Sequence, residues 1–154
     1  MKVEDVFTRG AVHIPQSRNL QDAAIQMRDQ HVGALIVTDG MLDDRLIGIV
    51  TDRDVVLKAV AAGAAPTDTL VAEVMTSGVV TIGQDDELSD AMQAMFSHGV
   101  RRLAVTDGSG GVIGIVALDD VIEALGKDWA LLTRILHSEQ QRERSGSVVS
   151  PLQP

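Results

Sequence analysis

The chain contains two copies of one pattern, and this internal repeat limits its fold more than any other feature of the sequence. The segment 3–8 (VEDVFT) matches 71–76 (VAEVMT), 68 residues later. The same offset aligns 20–23 with 88–91 and 37–40 with 105–108. A unit of roughly 60 residues buries too little apolar surface to be more than marginally stable alone. The repeat therefore predicts two similar supersecondary units that pack together.

Each copy has the periodicities of a β-α-β-β-α unit. Short β-branched runs at 12–14 and 79–82 predict a first strand in each copy. Helical spacing of apolar residues predicts a helix that begins near Leu20 and another near Leu88, with Ser17 and Asp85 as N-caps. Hairpins are predicted from 34–37 with 45–50 and from 102–105 with 112–116, and the Asp-Gly pairs at 39–40 and 107–108 supply their positive-φ residues.

A second helix follows each hairpin, over 52–62 and 118–125, ending at Gly63 and Gly126. The predicted organisation is a first repeat at 1–66, a second at 67–126, a separate C-terminal helix at 127–144 and a disordered tail at 145–154. The C-terminal helix carries Trp129, Leu132, Ile135 and Leu136 and belongs to neither repeat.

Composition excludes several classes of function. The net charge of −9 disfavours nucleic acids and anionic membranes as partners, because both require a basic face. No run approaches the length of a membrane span, and the N-terminus lacks an apolar leader, so a cytoplasmic protein is expected. There is no cysteine, the four histidines lack metal-ligand spacing, and no catalytic trio is visible. We expect no metal site and no enzyme.

Together, these repeats resemble a pair of cystathionine-β-synthase-type (CBS) domains. The resemblance covers about 3–125 and depends on the repeat order, on the 71–76 lead-in and on two elements of the form Gly-hydrophobe-hydrophobe-(Thr/Ser)-x-x-(Asp/Asn), at 48–54 and, with Ala117 in place of the hydroxyl residue, at 114–120. It implies an α+β fold whose two repeats pack through their sheets as one module, often a homodimer. It also implies an adenosine ligand such as AMP, ADP or ATP, with S-adenosylmethionine or NADH as further candidates, and no required cofactor.

The candidate site begins at Thr51 and Asp54. A carboxylate can accept both hydroxyls of a ribose, while a threonine hydroxyl and free N–H groups at a helix start can hold phosphate, with Arg53 assisting. The alternative is purely structural, because Thr-x-x-Asp is close to a capping box. In the second copy Ala117 replaces the hydroxyl residue, so Asp120 could accept a ribose without that phosphate donor.

The pair Arg101-Arg102 stands where the first copy has Gly33-Ala34. Guanidinium groups bind phosphate oxygens, and small residues leave room for a base. Three strand residues would line an apolar slot for adenine, although each also suits a core strand: Ile14, Leu35 and Ile36. The alternative for the arginines is a solvent-exposed charge at a strand end.

These residues predict a regulatory module that binds an adenosine nucleotide between its repeats and signals to a partner protein or through its own oligomer. The alternative is an interaction scaffold whose clefts bind nothing, with the C-terminal helix as the contact surface.

Overall fold

The computed structural model describes residues 1–10, 12–41 and 45–146. Its strands in chain order are β1 (Thr8–Arg9), β2 (His13–Pro15), β3 (Ala34–Thr38), β4 (Leu46–Thr51), β5 (Thr76–Ser77), β6 (Thr81–Gly83), β7 (Arg102–Thr106) and β8 (Val112–Ala117). Its helices are α1 (Leu20–Gln30), α2 (Asp52–Asp54), α3 (Val71–Val74), α4 (Leu88–His98) and α5 (Leu118–Ser145), with a 3₁₀ turn at Val3–Asp5. The segment Val55–Val60 continues α2 as a π-helix.

The strands form two four-stranded sheets, each completed by a strand from the other repeat. One sheet has the order β2-β3-β4-β5 and the other β1-β8-β7-β6. The lead-in strand β1 of the first repeat pairs antiparallel with β8 of the second, and β5 of the second repeat pairs antiparallel with β4 of the first. The repeats therefore exchange their lead-in segments, which the sequence analysis did not predict.

Alternation along the central strands divides the apolar residues between three cores. Leu35 and Val37 of β3 face α1 in the first core, while Leu103 and Val105 of β7 face α4 in the second. The intervening residues on the opposite face, with Ile36 among them, pack one sheet against the other. The predicted α+β module, in which two repeats pack through their sheets, is confirmed.

The N-caps of α1 and α4 differ from the sequence prediction. Asn19, rather than Ser17, is the N-cap of α1, and its side chain accepts the Asp22 N–H at 2.9 Å. Glu87, rather than Asp85, precedes α4, and its N–H donates to Asp90 at 3.3 Å. The helices begin at Leu20 and Leu88 as predicted, but both predicted N-caps were wrong, because the N-cap is the polar residue directly before the first helical residue, two positions later than Ser17 and Asp85.

Helix α5 corrects the predicted break at Gly126. The helix runs without interruption from Leu118 to Ser145, and Gly126 keeps a right-handed helical φ. A glycine inside a helix costs about 1 kcal/mol relative to alanine. Here the apolar stripe continues across it, and Lys127 forms an i,i+4 ion pair with Glu123 at 2.8 Å. Within the described residues no helix is both long and apolar enough to cross a membrane.

The hairpin tips show one further correction. Gly40 supplies a positive φ of 71°, as predicted, but in the second hairpin Gly110 supplies it, with a φ of 85°, rather than Gly108. The predicted tail lies mostly beyond 146, outside the described residues, and Ser145 itself ends α5.

Candidate functional site

Two clefts open between the repeats, where β4 and β8 end and the following helices begin. We call the larger one, of 290 Å³, cleft A; it is lined by Ile49, Thr51, Asp54, Thr76, Ser77, Gly78, Val79, Val80, Gly99, Val100, Arg101 and Arg102. Cleft B, of 250 Å³, is lined by Thr8, Gly10, Val12, His31, Val32, Gly33, Ala34, Arg102, Ile115, Ala117 and Asp120. Each cleft combines the helix start of one repeat with the lead-in strand of the other.

Cleft A brings together the residues with which the sequence hypothesis began. Thr51 and Asp54 come from the first repeat, and Arg101 and Arg102 come from the second. The exchange of lead-in strands also brings Thr76 into this cleft, because β5 pairs with β4. The predicted juxtaposition of an acidic helix start with two arginines across a cleft is present in the structure.

Thr51 and Asp54 also form the capping box that was the structural alternative. The Asp54 N–H donates to Thr51 Oγ1 at 3.1 Å, and the Thr51 N–H donates to Asp54 Oδ2 at 3.0 Å. Lys58 Nζ lies 3.2 Å from Asp54 Oδ1 and also donates to the Val74 carbonyl at 3.0 Å. These bonds hold the Asp54 carboxylate beside the first turn of α2, mostly shielded from solvent.

These bonds leave Asp54 and Thr51 able to form further hydrogen bonds in the cleft. A carboxylate has about four lone-pair positions, and Asp54 uses two of them for Thr51 and Lys58. The Thr51 oxygen accepts one bond, so its hydroxyl hydrogen is still able to donate. A capping role and a binding role are therefore compatible in the same two side chains.

The backbone N–H groups at the start of α2 are already engaged, which corrects the expectation that they would hold phosphate. The Asp52 N–H donates to the Gly33 carbonyl at 3.0 Å, and the Arg53 N–H donates to Asp52 Oδ1 at 2.8 Å. The Asp54 N–H is used by Thr51. Positive charge in cleft A thus comes from side chains. Arg53 is exposed and is not among the residues that line either cleft.

In the second repeat, Asp120 forms only one of the two hydrogen bonds of a capping box. Its Oδ2 accepts the Ala117 N–H at 2.9 Å, and no hydroxyl stands at 117 to accept the reciprocal bond. Asp120 lines cleft B, so its carboxylate faces the same space as Arg102. Cleft B accordingly keeps an acidic acceptor without a partnering threonine at that position.

The arginines differ in exposure and in partners. The Arg101 side chain is 73% exposed and lies 3.4 Å from Asp119 Oδ1 in an ion pair at the surface. Arg102 is half-buried at the start of β7, opposite Ala117 of β8. Exposed pairs of this kind contribute little to stability, so Arg101 can be redirected to a ligand at small cost.

Gly33 and Ala34 line cleft B rather than the cleft that contains Thr51 and Asp54. The sequence hypothesis placed all of these residues around one ligand. Although Ala34 pairs with Thr51 across the sheet, Gly33 and Ala34 both border the cleft that contains Asp120 of the other repeat. The small residues therefore leave room opposite Asp120, not opposite Asp54.

The predicted apolar slot for adenine lies elsewhere. Ile14 and Leu35 are fully buried in the first core, facing α1. Ile36 is fully buried between the sheets and lines a third cavity of 460 Å³ at the hairpin end of the module. That cavity is larger than either cleft, but it contains neither an acidic helix start nor Arg101 or Arg102. Ile49, Val79 and Val80 supply apolar surface in cleft A instead.

Sequence reasoning missed the contribution of the lead-in strands. Thr8 and Thr76 occupy equivalent positions in the repeat and line cleft B and cleft A, respectively. The signal was available, since both threonines close the matching lead-in segments, but only the strand exchange carries them into the clefts. His31 was also missed; it lines cleft B in a left-handed conformation, with a φ of 55°.

This architecture is that of a tandem-repeat module with two pseudo-equivalent clefts. The CBS domain family model matches it twice, over residues 3–60 and 71–127. The chain belongs to the CBS domain family.

Relatives extend this similarity. The chain is 32% identical over 151 residues to the uncharacterized protein YlbB of Bacillus subtilis, an alignment that covers 98% of this chain and 90% of that protein. It is 30% identical over 123 residues to the uncharacterized protein MK0525 of Methanopyrus kandleri, covering 80% of this chain but only 62% of that protein. These names describe no reaction.

Two solved structures share the fold and contain ligands. The CBS domain pair of protein MJ0100, in complex with 5′-methylthioadenosine and S-adenosyl-L-methionine, has a TM-score of 0.69 at 23% identity, covering 83% of this chain and 98% of that chain. Protein PAE2072 of Pyrobaculum aerophilum, complexed with AMP, has a TM-score of 0.67 at 22% identity, covering 78% and 89%.

Proposed function

We propose that this chain is a regulatory module that binds an adenosine nucleotide in cleft A. The observation that carries the proposal is that the Asp54 carboxylate and the guanidinium groups of Arg101 and Arg102 line one cleft. Asp54 suits a ribose diol, and the arginines suit the phosphate that follows it along a nucleotide. The volume of 290 Å³ is near the lower end of the range of about 300–1,000 Å³ for small-ligand sites.

The ligand chemistry of two family members supports an adenosine compound. One is complexed with AMP and the other with two adenosine derivatives that lack a phosphate. Two arginines in cleft A favour a phosphate-bearing ligand here, since each charge-assisted hydrogen bond contributes about 1.5–3 kcal/mol. AMP is therefore the first candidate, ahead of ADP, ATP, S-adenosylmethionine and NADH.

Regulation requires that the ligand distinguish between two states of the module. Cleft A has walls from both repeats, so a nucleotide that contacts Asp54 and Arg101 together favours one relative arrangement of the repeats. A ligand shifts an equilibrium only by its difference in affinity for the two states. The altered arrangement would be transmitted to a partner protein or through an oligomer of this chain.

The test is ligand-dependent thermal unfolding of the wild-type chain and two matched variants. We expect AMP to raise the melting temperature of the wild type, since stabilisation follows ligand concentration over Kd. Asp54→Ala removes the ribose acceptor and one capping interaction. Asp90→Ala removes a comparable capping interaction at α4, where Asp90 accepts the Glu87 N–H, outside both clefts.

Both variants should start from a lower melting temperature, but only Asp54→Ala should lose the AMP response. ADP, ATP, S-adenosylmethionine and NADH are run in parallel to rank the ligand class. Unchanged melting of the wild type with all five compounds would contradict nucleotide binding. Equal loss of the AMP response in both variants would assign Asp54 a capping role alone.

A second candidate function, assembly through α5, is favoured by an uncovered apolar stripe. Leu118 and Leu125 pack on the second core, and the stripe then continues beyond the core at helical spacing. Its large apolar side chains are between 48% and 70% exposed: Ile122, Trp129, Leu132, Ile135 and Leu136.

The occupant that fits this stripe is α5 of a second copy. The five exposed side chains present on the order of 500 Å² per chain, taking roughly 150–200 Å² for each fully exposed large apolar residue. Specific interfaces bury about 600–1,000 Å² per partner, so the stripe would supply most of the smallest such interface and the polar residues beside it the rest. Acidic residues lie in the first turn of α5 and Arg142 and Arg144 in the last, so an antiparallel pairing brings opposite charges together.

The subunit number of Leu132→Glu tests this assembly. We expect the wild type to be a dimer by sedimentation and Leu132→Glu to be a monomer, because a carboxylate would be buried in the apolar contact. Ala130→Glu adds the same charge on another face of α5 and should leave the dimer intact. A wild-type monomer, or an unchanged dimer in Leu132→Glu, would remove α5 from assembly.

A further inference from the structure

Arg102 lies where the two clefts meet. It is the single described residue that lines both cleft A and cleft B. The register of β7 explains this position, since Arg102 opens the strand opposite Ala117, at the start of α5. Its side chain is on the same face of β7 as Ala104, which packs between the two sheets. The side chain is therefore on the face of β7 that is turned toward the other sheet rather than toward α4.

The Arg102 side chain has no hydrogen-bond or ion-pair partner among the described residues, and the residue is half-buried. Arg101 beside it is more exposed and is paired with Asp119. An unpaired arginine side chain keeps its five N–H donors available for an anion in the clefts that it lines. The first repeat has Ala34 at the equivalent position, so the module has one such cation where twofold repetition would have given two.

We propose that Arg102 serves both clefts as a shared phosphate-binding residue, so that a nucleotide in one cleft weakens the binding of a nucleotide in the other. This inference rests on the proposed nucleotide-binding function. A bidentate contact uses two N–H groups of the guanidinium and aligns it with one phosphate, so the same contact is not available to a phosphate in the other cleft. The second nucleotide loses that contact and also meets the charge of the first phosphate. The binding of a neutral nucleoside depends neither on the Arg102 contact nor on the charge of a phosphate in the other cleft.

Cleft A should fill first. It contains Thr51 and Arg101 in addition to Arg102, whereas cleft B has Ala117 in place of the threonine and Ala34 in place of an arginine. Occupation of cleft A by AMP therefore takes Arg102 away from cleft B. The module would respond to nucleotide concentration in two steps.

Glycine amide signals in an NMR titration can report each cleft separately. Gly78 and Gly99 line cleft A, and Gly10 and Gly33 line cleft B. The wild type, Arg102→Ala and Arg101→Ala are titrated with AMP and, separately, with adenosine. Arg102→Ala introduces the residue that the first repeat has at this position, and Arg101 lines cleft A alone.

We expect Arg102→Ala to weaken AMP binding about tenfold or more at Gly78 and Gly99, the loss of one charge-assisted hydrogen bond. The same loss is expected at Gly10 and Gly33 when Arg102→Ala is compared in a chain whose cleft A is filled by Thr76→Trp, so that AMP in cleft A does not compete for Arg102. Adenosine binding should change by less than about twofold at both pairs. Arg101→Ala should weaken AMP at Gly78 and Gly99 only. A loss in only one of these two Arg102→Ala comparisons, or an equal loss for adenosine, would overturn the shared role.

The coupling has its own test in Thr76→Trp, which fills cleft A with a side chain that has no charge. The AMP affinity reported by Gly10 and Gly33 should then increase, since Arg102 is free to serve cleft B. An unchanged or weaker affinity there would overturn the coupling. If AMP moves neither pair of reporters in the wild type, the proposed function itself fails; movement of only the cleft A pair leaves that function standing and overturns the sharing.

Discussion

At the scale of single residues, the glycine of each Gly-hydrophobe-hydrophobe element has a packing role. A Cβ at Gly114 would overlap the Phe7 ring and the Thr8 carbonyl oxygen. A Cβ at Gly48 would lie 2.8 Å from the Met75 sulfur and 2.9 Å from the Thr76 carbonyl oxygen. In both repeats the missing side chain admits the lead-in strand of the other repeat.

Gly114→Ala should therefore destabilise the fold. Backbone is among the overlapping atoms, so relief requires β1 to shift, and overpacking of this kind costs about 1–3 kcal/mol. Urea unfolding followed by circular dichroism measures the loss. Gly108→Ala is the control, because nothing lies within 4 Å of its Cβ position. Equal unfolding midpoints for the two variants would contradict the packing role of Gly114.

A second residue-scale prediction concerns the turn at Asp107. The Ser109 hydroxyl and the N–H groups of Ser109 and Gly111 hydrogen-bond to Asp107, and they hold the pKa of that carboxyl below its ordinary value. A lowered folded pKa gives stabilisation that is present above the unfolded pKa and is lost as the pH falls through the folded one.

Ser109→Ala removes the largest of these contributions and should raise the pKa of Asp107 toward its ordinary value. The carboxyl ¹³C shift of Asp107, followed by NMR from pH 6 downward, measures it. Ser89→Ala, a serine on α4 far from the turn, is the control. An Asp107 titration identical to the wild type in Ser109→Ala would show that the hydroxyl does not act on it.

At the scale of elements, the exchanged lead-in segments tie each repeat to the other. Val3 and Phe7 belong to the first repeat but are buried in the second core, while Val71 and Val74 belong to the second repeat and are buried in the first core. Each core is thus incomplete without residues from the other copy. This arrangement gives the small repeats the apolar area that neither has alone.

Removing residues 1–9 should weaken the second repeat more than the first. The deletion takes away β1 and two buried residues of the second core, but no residue of the first core. Hydrogen exchange should accelerate in β7 and β8 and change much less in β3 and β4. Equal acceleration in both sheets, or acceleration confined to the first, would contradict the exchange.

Local patterns predicted the elements well and their partners poorly. Periodicity gave β2, α1, β3 and β4 of the first repeat and β6, α4, β7 and β8 of the second, since alternation and helical spacing follow directly from burial on one face, but it did not give the short lead-in strands β1 and β5. It could not show that β1 pairs with β8, because strand pairing at this distance depends on the whole sheet. Glycine commonly ends a helix, which predicts an end at Gly126. The helix continues because the apolar stripe of α5 on both sides of Gly126 outweighs this preference.

The candidate site was predicted in the same uneven way. Thr51, Asp54, Arg101 and Arg102 do line one cleft, because the repeat alignment fixed their relative places. Gly33 and Ala34 were assigned to that cleft and lie in the other, since alignment alone does not tell which helix start faces which strand. The sequence could not show that the N–H groups at the start of α2 already form hydrogen bonds, because the Gly33 carbonyl that accepts one of them is distant in sequence.

At the scale of the whole molecule, the two repeats form one module with unequal clefts that both border Arg102. The first repeat contributes Thr51 and Asp54, and the second contributes Arg101 and Arg102. In the function that we propose, this inequality makes cleft A the first site to fill, and α5 is the proposed surface for assembly with a second copy. The proposed nucleotide binding and the proposed assembly through α5 would thus be coupled within a single chain.

The central claim is that cleft A binds an adenosine nucleotide, and native mass spectrometry of the full chain tests it most directly because it reports bound ligand and subunit number together. With AMP added, the wild type should gain the mass of at least one AMP per chain, and Asp54→Ala should gain none while Asp90→Ala binds as the wild type does. A wild-type chain that stays free of AMP, ADP, ATP, S-adenosylmethionine and NADH would contradict the claim.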